Sequence, residues 1–371
     1  MRFTTYARVW MYAGLAWAFF AAAAPDAWSQ VNVGGGGNSS SEQTGNQPGS
    51  TVIDPQLLRT SVTGFTGFVS RQLARNGGNL GGAILTADLA QGARDQRGAA
   101  AGGGLDRAAG WVNFSDTDIE EDVPATLYEG DLRNYLLGVD YQLDDRILAG
   151  LAFGLERGEI DTRFNGGTVT TRGVTVSPYA SYRLDERWSF DAILGHTRGD
   201  IDQVRGAGIR SETDFRRWFA QANANYVTGL DVVDNLLLAG QAGYTYAFEK
   251  IDGFTESNGN LVAANRNPLG QVQLGARAGY SLFDIADGWV FHPYGGLRYL
   301  HEIQSSRVSV GPGQAEHPND NDEVQVSLGL DFFSGSKLSG NIEFLRSFAR
   351  SKFESSVISV NLRWAFGPSG E

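Results

Sequence analysis

Phe353 to Phe366 reads FESSVISVNLRWAF, and its alternation sets the terms for the whole chain. Ile358, Val360, Leu362, Trp364 and Phe366 form one apolar row, while Val357, Ser359, Asn361, Arg363 and Ala365 form a mixed, largely polar one. Side chains of a strand alternate between faces, so this strand has a greasy side and a wet side. In a soluble sandwich the greasy row would meet a core. In an outer-membrane barrel it meets lipid, and the polar row lines a hydrated lumen.

Upstream segments decide between the two. Tyr135, Leu137, Val139 and Tyr141 share a face opposite Asn134, Gly138 and Asp140. The same period of two recurs in Ile147 to Leu155, Val174 to Leu184, Trp188 to Leu194, Trp218 to Tyr226, Leu236 to Phe248, Val272 to Leu282, Trp289 to Tyr299, Val324 to Phe332 and Leu338 to Phe348. With a first strand near Gly110 to Ser115 the total is about twelve, an even number of the kind bacterial barrels use. Short turns (Asp144-Asp145, Asp185-Glu186, Gly229 to Asn235, Asp284 to Gly288, Ser334 to Lys337) alternate with longer polar stretches (Asp116 to Gly130, Gly158 to Thr168, Gly199 to Asp214, Lys250 to Asn267, Gln304 to Asp322), plus a short one near Arg350. A membrane barrel has short turns at one rim and longer loops at the other, a parity that a sandwich has no reason to keep. Tyr141, Tyr182, Trp188, Tyr226, Trp289 and Phe332 sit beside the short turns, where an aromatic girdle belongs.

The expected fold class is therefore all-β: a transmembrane antiparallel β-barrel of about twelve strands. Its lumen row carries Asp140, Glu156, Arg183, Asp191, Arg277, Arg298, Asp331, Glu343 and Arg363. Both signs of charge suit a wet or plugged pore and would be costly facing lipid.

Composition agrees. The 371 residues include 49 Gly, 21 Phe and 13 Tyr but only 10 Pro, as a chain of strands and turns would. A formal charge of -12 argues against nucleic acid as a partner, and the absence of Cys excludes disulfides and thiolate metal sites. The chain opens with Arg2 and Arg8, an apolar run from Val9 to Ala24, and Ala27-Trp28-Ser29 before Gln30. That order predicts a secretory signal peptide over 1–29, since the run is too short for a spanning helix; an uncleaved anchor is the alternative.

Residues 30–53 are a Gly, Ser, Asn and Gln tract read as a disordered linker. Asp54-Pro55 then gives a helix cap and first helical residue, and Arg75-Asn76-Gly77-Gly78 a stop. Between them Leu58, Val62, Phe65, Val69 and Leu73 fall on one stripe, predicting an α-helix over 54–76. Its Arg59, Arg71 and Arg75 would meet lumen acids if the helix threads the pore; a helix packed outside the pore or frayed in the periplasm is the alternative. Residues 77–107 read as a connector, 108–366 as the barrel and 367–371 as an extension.

Ala109-Gly110-Trp111-Val112, Leu136 to Tyr141, Leu151 to Gly154, Ser177 to Ala180 and Val360 to Phe366, taken in order, resemble the autotransporter β-domain, the translocator of type V secretion. The resemblance implies twelve strands, a pore helix and transport of an N-terminal passenger, here short or vestigial, to the cell surface. It also implies export by the Sec translocon, insertion among outer-membrane lipids and an assembly signal at Trp364 and Phe366 read by the barrel-assembly machinery. A stand-alone barrel serving as a small pore or a surface adhesin is the competing reading.

No cofactor or catalytic constellation is spelled out. G-x-S-x-G, H-E-x-x-H and P-loop patterns are absent, and the four histidines, His196, His292, His301 and His317, are scattered. Pro318 to Glu323, PNDNDE, is acidic enough to invite Ca²⁺ but supplies no complete oxygen cage, so a solvated loop is expected.

Overall fold

A computed structural model describes residues 48–76, 80, 107–124, 126–230, 233–283, 288–306, 320–334 and 337–366. The signal-peptide segment, most of the linker and connector, His317, Pro318 and the tail 367–371 lie outside these.

Twelve strands close into one antiparallel barrel, each paired with its neighbours in sequence. They are β1 (Ala108–Glu121), β2 (Tyr128–Gln142), β3 (Ile147–Thr162), β4 (Gly167–Arg183), β5 (Trp188–Arg205), β6 (Ile209–Leu230), β7 (Val233–Ile251), β10 (Asn265–Tyr280), β11 (Trp289–Ser305), β12 (Asp322–Ser334), β13 (Leu338–Phe348) and β14 (Phe353–Ala365). A two-stranded ribbon, β8 (Phe254–Thr255) with β9 (Leu261–Val262), stands in the β7–β10 connection outside the barrel sheet. Closure pairs β1 with β14 from Ala109↔Ala365 to Glu121↔Phe353, leaving no open edge.

Outward rows change character along each strand. On β3, Ile147, Ala149, Leu151, Phe153 and Leu155 give way to Arg157, Glu159 and Asp161; on β4, Tyr182, Ala180, Pro178, Val176 and Val174 give way to Arg172. Nine residues of tilted strand cover about 25 Å, the height of a barrel's lipid band, and the charged rows lie beyond it.

This corrects the expected loop lengths. Most of Asp116 to Gly130, Gly158 to Thr168 and Gly199 to Asp214 is strand rather than loop, because inward residues continue to be buried there. Ile119, Ile160, Val169, Ile201 and Phe215 form an apolar collar near that rim, and Ile53 and Leu57 of the helix pack into it. The rim that carries the β1–β2, β7–β10 and β11–β12 connections is called the loop rim below, and the opposite one the turn rim.

The helix, α1 (Gly49–Asn76), lies inside the barrel. Its expected stripe of Leu58, Val62, Phe65, Val69 and Leu73 is buried against Leu136, Leu148, Ala152, Tyr179, Ile193 and Phe219 of the wall. Phe65 meets Phe219 edge to face at 5.2 Å between centroids. The helix starts at Gly49, upstream of the Asp54 cap that the sequence suggested, and carries Pro55 inside. Burial of Ile53 and Leu57 in the collar supplies the reason, since each fully buried aliphatic side chain contributes about 1.5–3 kcal/mol, enough to offset one lost backbone hydrogen bond. Arg75 falls in the last turn, where a cation complements the helix dipole, and Asn76 Nδ2 donates to the Gln72 carbonyl at 2.8 Å.

The helix-filled lumen as candidate functional site

Inward polar positions and the polar side of α1 form four buried clusters. Nearest the loop rim, Arg59 pairs with Glu302 at 3.4 Å and Glu323 at 3.6 Å, and Arg350 contacts the same two acids. The Arg59 guanidinium also lies 4.6 Å over the Phe353 ring. One level down, on the opposite wall, Arg217 bridges Glu249 at 2.7 Å and Glu156 at 3.2 Å, and Ser61 of α1 is hydrogen-bonded to both Glu156 and Arg217.

Midway, Asp191 accepts from Ser70 of α1 at 2.9 Å, from Asn223 at 2.6 Å and from Asn225. Amide and hydroxyl donors thus satisfy this buried carboxylate without a cation. Arg71 reaches Glu343 at 3.3 Å, and Tyr294 donates to the same acid at 2.7 Å. Toward the turn rim, Asp331 receives Arg75 at 3.1 Å, Arg277 and Asn341, while Arg277 stacks on Tyr294 with its guanidinium 3.3 Å from the ring centroid.

The seam between first and last strands has its own chain of bonds. Trp111 Nε1 on β1 donates to the Tyr179 hydroxyl at 2.7 Å, Tyr179 donates to Asp140 on β2, and Arg363 on β14 holds Asp140 at 3.1 Å. Wall glycines make this possible: a Cβ on Gly138 would lie 2.4 Å from the Trp111 ring, and one on Gly150 2.3 Å from Tyr179.

Arg59, Arg71 and Arg75 all point toward β11 to β14, while the helix backbone lies against β4 and β5. Of the other charges expected on the lumen row, Arg183 Nε has no partner among the described residues, and Arg298 makes no hydrogen bond or ion pair there. Trp364 and Phe366 face outward at the turn rim, where the Phe366 N–H donates to the Ala108 carbonyl at 3.0 Å.

Sequence reasoning passed over Arg217, Glu249, Glu302, Glu323 and Arg350. All but Arg350 lie on inward parity just beyond where the apolar outward row ends. Carrying the period of two past Trp218 to Arg217, and past Tyr299 to Glu302, would have found them.

His292 is inward and hydrogen-bonded to Ser281 at 3.0 Å; His196 stacks on Trp218 at 4.0 Å; His301 contacts Asp322 at 2.8 Å. Of PNDNDE, Asp322 turns outward to Tyr299 and His301 while Glu323 turns inward to Arg59, so the acids diverge. Among the described residues no group of three or more His, Asp or Glu could hold a metal ion.

Solved structures share this architecture. The β domain of the Bordetella autotransporter Brka aligns with a TM-score of 0.59 at 17% identity, over 70% of this chain and 100% of its own. The translocator domain of NalP from Neisseria meningitidis follows at 0.56 and 12%, over 77% and 97%, and the transport unit of AIDA-I from Escherichia coli at 0.55 and 11%, over 78% and 98%. A curated relative from Pseudomonas putida, described as an uncharacterized protein in the trpE-trpG intergenic region, is 31% identical over 144 residues, which are 36% of this chain and 24% of that protein. The Autotransporter beta-domain family matches residues 108–344, and with twelve closed strands around a lumen helix the chain belongs to that family of outer-membrane translocator barrels.

Proposed function

We propose that this barrel carries the segment N-terminal to α1 through its lumen to the cell surface, and that α1 is the part left in the pore afterwards. The observation that carries this reading is the direction of the helix. Ile53 and Leu57 sit in the collar near the loop rim, whereas Arg75 meets Asp331 and Asn361 toward the turn rim where β1 begins. With the loop rim outside the cell, chain preceding Gly49 leaves by the outer mouth.

In this reading a signal peptide is removed before Gln30 after passage through the Sec translocon. Trp364 and Phe366, outward at the turn rim, are then presented to the barrel-assembly machinery during insertion into outer-membrane lipid. Mass analysis of the mature protein, expected to begin at Gln30, checks the first step. An epitope tag inserted after Ser40 tests transport itself: protease added to intact cells should remove it. A tag that remains protected until the outer membrane is opened would overturn the proposal and favour a stand-alone barrel.

A further inference from the structure

A cavity of about 110 Å³ lies between α1 and the barrel wall, lined by residues of β5 to β7 and of β10 to β13. Arg71, Arg277, Arg298, Tyr294, Ser327 and Glu343 are among the residues lining it. Charge does not balance on the β10 to β13 side. Arg71 has Glu343, while Arg75 and Arg277 share Asp331. Arg298 has neither a hydrogen bond nor an ion pair among the described residues, and with Arg59 and Arg350 counted against Glu302 and Glu323, six guanidinium groups on this side face four carboxylates.

The geometry concentrates the excess at one point. The position that a Cβ of Gly67 would occupy lies 3.4 Å from Nη1 of Arg298 and 3.4 Å from Nη1 of Arg71, so these nitrogens are no more than 6.8 Å apart. Two guanidinium groups repel at that spacing, and this side of the lumen holds more cations than carboxylates to offset them. Gly67 itself, lacking a side chain, leaves room on the helix surface. Ser327 adds a hydroxyl on the cavity wall with no other partner among the described residues.

We propose that this cavity binds a small oxyanion of phosphate or sulfate size, held between Arg298 and Arg71. The planar fork of a guanidinium matches the paired oxygens of such an ion better than a spherical halide. The volume is well below the roughly 300 Å³ at which pockets for larger organic ligands begin, which selects an inorganic ion. Bound there, the ion would join Arg71 of the helix to Arg298 of β11.

Titration of the purified full-length protein in detergent with inorganic phosphate tests the site, by calorimetry and by thermal unfolding, with ionic strength held by potassium gluconate. The wild type should show saturable binding and a rise in Tm. Arg298→Gln should weaken phosphate binding about tenfold or more and lose the shift, and Arg298→Lys, which keeps the charge without the fork, should fall between. Equal responses from wild type and Arg298→Gln overturn the site. A phosphate response no larger than that to chloride overturns the oxyanion assignment. Should Arg298→Gln fail to assemble, the Arg298→Lys protein and the wild-type comparison of phosphate with chloride still decide the matter.

Discussion

Arg75 in the last turn of α1 and Asp331 on β12 meet at 3.1 Å, with both side chains sealed from solvent. Asp331 also holds Arg277 and accepts from Asn341, so a single carboxylate compensates two arginines from different elements. Replacing it by Asn removes that charge while keeping its shape. Asp331→Asn is expected to destabilise the barrel by about 3–5 kcal/mol, the usual consequence of stranding a buried ion. A urea titration of the refolded protein, comparing wild type and variant, measures this; an unchanged midpoint would mean that water already reaches the pair.

The three helix arginines tie α1 to one side of the lumen; Arg59 is three turns from Arg71 and acts independently, while Arg71 and Arg75 are neighbours one turn apart and couple. Changing Arg59, Arg71 and Arg75 together to Ala should loosen the helix and raise single-channel conductance in planar bilayers. Deleting Gly49 to Asn76 should raise it further, and a deletion protein that conducts like the wild type would remove the helix from the lumen.

At the seam, Gly138 gives Trp111 its place and Gly150 gives Tyr179 its own. Gly138→Val would push the indole off the wall and break the Trp111, Tyr179, Asp140 and Arg363 chain that crosses from β1 to β14. Overpacking of this kind costs about 1–3 kcal/mol, to which the lost buried hydrogen bonds add. Heat-modifiable gel migration should show a lower temperature for loss of the folded band, and Trp111→Phe in the same background should recover part of it.

Outside the lipid band, the β8–β9 ribbon is held at the loop rim by Arg205, whose guanidinium donates to both Glu256 oxygens at 2.7 and 2.6 Å. These bonds from Arg205, aided by Asn260, keep the Glu256 carboxyl below the usual glutamate range. The sign follows directly: stability from this contact is present above the ordinary glutamate value and is lost as pH falls through the lower folded value. Protease sensitivity of residues 252–264 should therefore rise with acid below that range. Glu256→Gln should be sensitive already at neutral pH and show little further change.

Much of this molecule could be read from residue order because its solvents alternate with the backbone. Ile358 to Phe366 meets lipid and Asn361 meets the lumen for one geometric reason, the period of two, and that period also gave the strand count. It failed where its outward half changed from lipid to water. Past Leu155 the outward residues are Arg157, Glu159 and Asp161, which resemble a loop in composition, although Ile160 on the inward side still has a core to join. The extra turns of α1 were hidden similarly: Asp54-Pro55 is a sound local start, but Ile53 finds a buried site that only the closed barrel creates. Partnerships across the lumen, such as Ser61 with Arg217, depend on which strands face which turn of the helix, and no local pattern encodes that.

α1 sits most closely against β4 and β5, and beside its later turns the bore keeps a cavity lined by Arg71, Arg277 and Arg298. A leak through the resting barrel that used this cavity would pass Arg71, Arg277 and Arg298. The chain as a whole is acidic, yet its residual conduit is cationic, so the resting leak should pass anions in preference to cations.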